Sequence, residues 1–204
     1  MKDWKYIVRI VGVLAAGILL LKMTYHLEYS TFMLDSFFFV IIVLFGVSIL
    51  IWSIMTDLKQ FRIDRRIIQL LPVVLGLGFP LFIYLKVLKI NSTFDKPTLI
   101  RVYYDGDFNG TGIDFKIDRT YIFDNSVIGL SGFSYGTYRI IDNQIILDKS
   151  ELENVIKTNR LEIKTKRIEY SAGAKTEDYL FQIDKEGKIL ENVTEFRVVI
   201  DNRK

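Results

Sequence analysis

The chain reads as a membrane α plus β protein, three transmembrane helices followed by an antiparallel, β-barrel-like domain. Three observations predict this. Residues 67–90, IIQLLPVVLGLGFPLFIYLKVLKI, are apolar as far as Leu85 with Gln69 the one strongly polar exception, and at about 1.5 Å per residue such a run crosses a hydrocarbon core of about 30 Å. Two further apolar runs precede it. From Thr98 onward continuous apolarity gives way to twofold alternation, the pattern of strands with one buried and one wet face. The sequence therefore divides into a three-helix transmembrane domain over residues 1–90, a tether at 91–97 and an extracytoplasmic β domain over 98–204.

Half of the 204 residues are apolar and a quarter are charged, too apolar for an ordinary soluble domain and too charged for a pure membrane bundle. The two parts differ. Residues 1–90 hold ten Lys and Arg against five Asp and Glu, and residues 91–204 hold seventeen against nineteen. The basic excess lies in the membrane part, where it sets orientation, and the mildly acidic remainder lacks the footprint of a nucleic-acid binder. Cysteine is absent, which removes disulfides, thiolate metal sites, thiol nucleophiles and lipoprotein modification together.

The first span covers about residues 6–23, with Lys2 and Lys5 before it. Arg9 falls in its first turns and is expected to snorkel to the near interface. A basic start and the apolar residues 10–21 suggest a signal peptide, but KMTYHLEY offers no small-residue cleavage site, so the segment is read as retained. Gly12 and Ala16 make a small-xxx-small face suited to a neighbouring helix. The second span, about residues 37–55, is uncharged; Asp35 or Ser36 is expected to cap it, with aromatic residues near both ends. The third, residues 67–90, holds Pro72 and Pro80, each expected to bend it. The loop before it carries Lys59, Arg62, Arg65 and Arg66, whereas the loop between the first two spans has only Lys22 at its edge, with Glu28 and Asp35. The positive-inside bias then puts the N-terminus in the cytoplasm and the β domain outside.

In the second part Ile113, Phe115 and Ile117 alternate with Asp114, Lys116 and Asp118, so the first three are expected inside and the others in water. About eight such short segments predict a barrel or curled sandwich. Asp142 and Asn143 sit between two apolar runs as a tight hairpin, and residues 184–187, DKEG, form a second turn. In residues 160–170 the charged positions change parity near Lys166, which predicts a β-bulge there.

Asp105, Asp107 and Asn109, followed by Gly110, match the opening of a calcium loop. Lys116 stands at the twelfth position, where that loop needs a bidentate Glu. A polar turn is the preferred reading, and no metal or cofactor is expected. Asp114, Asp118 and Asp124 supply carboxylates, but the alternation puts the first two on a wet face, where solubility accounts for them. The single histidine, His26, is placed at the membrane interface. With no nucleophile, histidine-pair or phosphate-loop pattern, the chain is read as a non-enzyme. Phe133, Tyr135 and Tyr138 are the candidate ligand-binding residues, aromatic rings able to line a barrel mouth and stack on a ligand. The competing reading sends Tyr138 into the core, with Gly132 and Gly136 allowing bends.

Through GTYRIIDNQIILDK, with DGDFNGTGIDF and the terminal FRVVIDNR, residues 98–203 resemble the lipocalin-like β domains of small uncharacterised bacterial envelope proteins. The resemblance implies a bacterial envelope protein of binding rather than catalytic type, and the three spans add the expectation of an inner-membrane location. The expected function is that of a non-catalytic, membrane-anchored binding protein whose β domain engages an envelope protein, an immunity or inhibitory protein being one form. A lipid or small apolar ligand enclosed by the barrel, and a membrane sensor with a bent third span, are the alternatives.

Overall fold

The computed structural model describes residues 2–170 and 173–203. Three long apolar helices are followed by a closed, antiparallel, eight-stranded β-barrel. The chain divides into two compact units, Met1–Thr93 and Phe94–Lys204.

In the first unit, α1 spans Lys2–Tyr29, α2 Asp35–Asp64 and α3 Leu71–Phe94, the last residue of α3, Phe94, already belonging to the second unit. All three are long and apolar enough to cross a membrane. They run past their apolar stretches because a helix satisfies its own backbone whether its side chains meet lipid or water. Arg65, left-handed at φ 55°, ends α2, and a 3-10 turn, Ile67–Leu70, leads into α3. Leu34, not Asp35 or Ser36, occupies the cap position of α2; the Asp35 carboxylate instead accepts the Phe32 N–H at 2.7 Å. Pro72 lies in the first turn of α3, where a missing N–H costs nothing, so only Pro80 interrupts the helix interior.

Small residues set the helix contacts. A side chain at Gly12 would meet Ile49 Cδ1 at 2.6 Å, one at Gly46 would meet Ala16 Cβ at 3.3 Å, and one at Gly17 would collide with the Phe79 ring. The Gly12 and Ala16 face thus seats α2, as small-residue pairs do where backbones approach closely.

Arg9 does not snorkel. It is 1% exposed and donates to Asp57 Oδ1 at 2.5 Å, with Asp57 fully buried. The guanidinium carbon also lies 5.5 Å from the Trp52 ring centroid and 6.0 Å from that of Tyr6. The extension of α2 explains the difference. Asp57 would fall in a loop if the helix stopped at residue 55; with α2 continuing to Asp64 it faces α1, and a paired Arg has no reason to reach for headgroups.

The barrel strands are β1 Thr98–Gly106, β2 Asn109–Lys116, β3 Thr120–Val127, β4 Leu130–Ile141, β5 Gln144–Leu147, β6 Arg160–Tyr170, β7 Gly173–Gln182 and β8 Phe196–Asp201. Each pairs with its neighbours in sequence, and β8 returns to β1, an up-and-down closure that leaves no full-length edge. Asp142, at φ 54°, and Asn143 make the β4–β5 turn. Residues 184–187 turn as expected, with Gly187 at φ 83°.

The bulge expected near Lys166 is absent: β6 and β7 pair without a slip from Leu161↔Gln182 to Tyr170↔Gly173. β8 pairs with β7 only at Tyr179 and Leu180, so the rest of this hairpin stands off as a two-stranded ribbon. A ribbon free of the barrel has no buried face to preserve, and the change of parity needs no extra residue. The register shift lies instead in the closing seam, where Val199 is the extra residue between Arg101↔Ile200 and Val102↔Val198.

The end of β2 also departs from the alternation, because the strand stops at Lys116 and the chain turns there. Ile117 is 56% exposed and Lys116 only 2%. The three donors of the Lys116 ammonium find three acceptors: Phe94 O at 2.8 Å, Lys96 O at 2.9 Å and Asp114 Oδ2 at 2.8 Å.

Candidate functional site

The barrel interior is the first place to look for a ligand, and side chains fill it. Ile100, Val102, Phe115, Tyr121, Phe123, Ile145, Leu161, Leu180 and Phe196 have no accessible surface, whereas a void large enough for water or a ligand would leave some on its lining. The Phe115 ring packs edge-on against Tyr138, centroids 5.0 Å apart, and is tilted to Tyr121 at 6.3 Å.

Both ends are sealed. At one, Tyr138 Oη donates to Lys116 O at 2.7 Å, above the bound Lys116 ammonium. At the other, Leu152 and Ile156, from the connection between β5 and β6, cap the core. Gln182, fully buried, ties the loops there: its Nε2 donates to Val155 O at 3.0 Å and to Thr194 O at 3.2 Å, and its Oε1 accepts the Lys157 N–H at 2.7 Å.

The candidate aromatics divide across the wall. Tyr138 points inward and is 5% exposed. Phe133 and Tyr135, of opposite parity, stack edge-on against Phe94 with centroids 5.3 and 6.3 Å away. Gly136 serves the core: a Cβ there would meet Tyr121 Oη and Asp148 Oδ1, each at 2.5 Å. The three rings therefore form no common surface.

Asp105, Asp107 and Asn109 belong to the β1–β2 hairpin. Asp107 is left-handed at φ 63°, and its N–H donates to Asp105 Oδ1 at 3.3 Å, a local Asx contact. Among the described residues, no three His, Cys, Asp or Glu side chains are grouped to hold a metal ion. The other carboxylates are engaged. Asp118 is hydrogen-bonded by Lys96 at 2.7 Å and by the Thr120 hydroxyl at 2.6 Å, which hold its pKa down to about 2. Asp114 binds Lys116 and, at 2.8 Å, the Thr98 hydroxyl.

Asp124 differs. Burial raises its pKa, against the pull of Arg101 and with a further push from Asp114. Such a carboxyl folds more readily with its proton on. Stability is lost as pH climbs from the unfolded value, about 3.9, through the raised folded value. Asp124→Asn is accordingly expected to raise the barrel's melting temperature at pH 7 and to match the parent at about pH 3, as thermal denaturation at the two pH values will show.

The outer wall carries an open groove of about 1220 Å³ where the β6–β7 ribbon leaves β8. Tyr103, Tyr104, Ile168, Tyr179, Val193 and Val199 contribute to its apolar surface. Ion pairs border it: Lys166 to Glu195 at 2.5 Å and Arg197 to Glu177 at 3.3 Å. Residues 192–195 run along it. Tyrosines among charged residues on a wall with free strand edges are the composition of a protein-contact surface. Sequence reasoning missed this groove, since its parts come from β1, β6, β7, β8 and a loop; only the tyrosine content of residues 103, 104 and 179 hinted at it.

Comparison with protein families, curated proteins and solved structures finds no match to this chain.

Proposed function

We propose that this is a non-catalytic binding protein held in a bacterial inner membrane, with its N-terminus in the cytoplasm and its barrel outside engaging a protein partner through the wall groove. The observation that carries the reading is the contrast between a sealed, side-chain-filled interior and a tyrosine-lined groove on the exterior. A carrier needs enclosed space, and this barrel offers its chemistry outward.

The absence of native cysteine makes the orientation simple to test. A single Lys59→Cys substitution on α2 and a single Asn143→Cys substitution in the β4–β5 turn both fall at exposed positions. An impermeant thiol reagent is expected to label the Asn143 variant in intact cells and the Lys59 variant only after permeabilisation; the reverse pattern inverts the topology. A photoreactive residue at Tyr103 is then expected to give one discrete protein adduct in cells, absent when the same residue replaces exposed Ile117. Equal adducts at both positions, or none at Tyr103, would count against the groove.

A further inference from the structure

The apolar space missing from the barrel lies in the helical unit. A cavity of about 420 Å³ opens between the three helices, bordered by Val13 and Leu20 of α1, Phe39 and Val47 of α2, and Gly76 and Val87 of α3. Small residues create it: Ala16, Gly17, Gly46 and Gly76 all border it, where larger side chains would close the helices together. It is nearly three times the volume of an engineered apolar cavity, about 150 Å³, that takes up benzene.

We infer that this cavity is a binding site for one acyl chain of an anionic phospholipid, whose phosphate is held at the Lys22, Lys86 and Lys89 end of the helices. Length is the first argument. The bordering residues run from Gly76 to Val87 on α3 and from Phe39 to Leu50 on α2, about 16 Å at 1.5 Å per residue. That is one leaflet of a hydrocarbon core of about 30 Å. The cavity is therefore matched to a single chain entering from one side, and its inner end stops short of the Arg9–Asp57 pair.

Charge is the second argument. Leu20 lies two residues before Lys22, and Val87 stands between Lys86 and Lys89, so one end of the cavity lies beside these lysines. The acidic groups at that end are occupied: Glu28 pairs with Lys86, which also sits over the Tyr25 ring at 4.3 Å, and Asp35 accepts the Phe32 N–H. Lys22 and Lys89 remain as exposed cations, suited to a lipid phosphate. Lys22 and Lys89, at the end that the positive-inside bias assigns to the outside, have no carboxylate paired with them among the described residues; a bound anionic headgroup gives them a partner.

The test is native mass spectrometry of the full-length chain after reconstitution into vesicles of equal phosphatidylglycerol and phosphatidylcholine and gentle extraction. One retained phospholipid per chain is expected, phosphatidylglycerol favoured. Val47→Phe, which fills the cavity, is expected to abolish retention; Leu44→Phe puts the same ring at a 62% exposed position off the cavity border and is expected to leave it intact. Lys22→Gln and Lys89→Gln are each expected to reduce the preference for phosphatidylglycerol by about fivefold. Val43→Phe, also on the cavity border, is the second filling variant should Val47→Phe lose its helical circular dichroism. No retained lipid in the parent, retention unchanged in both filling variants, equal loss in Leu44→Phe, or a retained polypeptide in place of a lipid would each overturn the assignment.

Discussion

Replacing Asp57 with alanine is expected to destabilise the helical unit by about 3–5 kcal/mol, the cost of leaving a buried charge without its counter-charge. Arg9, 1% exposed, would then lie among apolar helices without its counter-charge, beside the Trp52 and Tyr6 rings. Arg9→Ala is expected to be as damaging, since it strands a fully buried carboxylate. The double replacement is expected to lose less than either single change, because a vacated pair leaves no charge to solvate. The reciprocal exchange, Arg9→Asp with Asp57→Arg, is expected to recover part of the loss. Unfolding of the full chain in a detergent titration reads all four. If each single variant unfolds like the parent, the pair bears no load, and the helix contacts at Gly12 and Gly46 carry the assembly alone.

Phe115→Ala is expected to cost the barrel about 3–5 kcal/mol, the range for deleting a fully buried aromatic ring. Phe115 has no accessible surface and touches both Tyr121 and Tyr138. Those neighbours are fixed by their hydroxyls, Tyr138 to Lys116 O at 2.7 Å and Tyr121 to Asp148 Oδ1 at 3.2 Å. The walls of the new cavity could not collapse without breaking these bonds, which places the expected loss toward the upper part of the range. Phe115→Leu keeps most of the volume and is expected to cost less than half as much. Thermal denaturation followed in the near-ultraviolet, where the tyrosines report, separates the two variants; equal melting would mean that the interior repacks freely.

Patterns that depend on near neighbours were legible in the sequence. Apolar runs of bilayer length become helices because hydrocarbon leaves the backbone no other partner, and alternating segments become strands because the pleat sorts odd from even residues. Asp142 tolerates a left-handed backbone, and the turn appears where the composition put it. The errors arose where a residue's environment is set by distant chain. Arg9 read as an interfacial cation because Asp57 is 48 residues away; Lys116 read as a wet position because its acceptors Phe94 and Lys96 belong to the preceding tether. Lys166 read as a bulge because local parity cannot tell a strand in a barrel wall from one in a ribbon. Of the candidate site, the sequence named three aromatics of mixed parity, and the groove escaped it because its residues come from four strands and a loop.

The sequence by itself determined that the chain has three apolar helices and then a strand-rich domain, since hydrophobic length and period are properties of consecutive residues. The tertiary structure alone decided that the barrel is sealed and full, that an open apolar cavity lies between the helices instead, and that a buried Arg–Asp pair joins α1 to α2. Each of these depends on which side chains meet across long stretches of chain. Packing volume and charge pairing are properties of such meetings, and no local pattern encodes them.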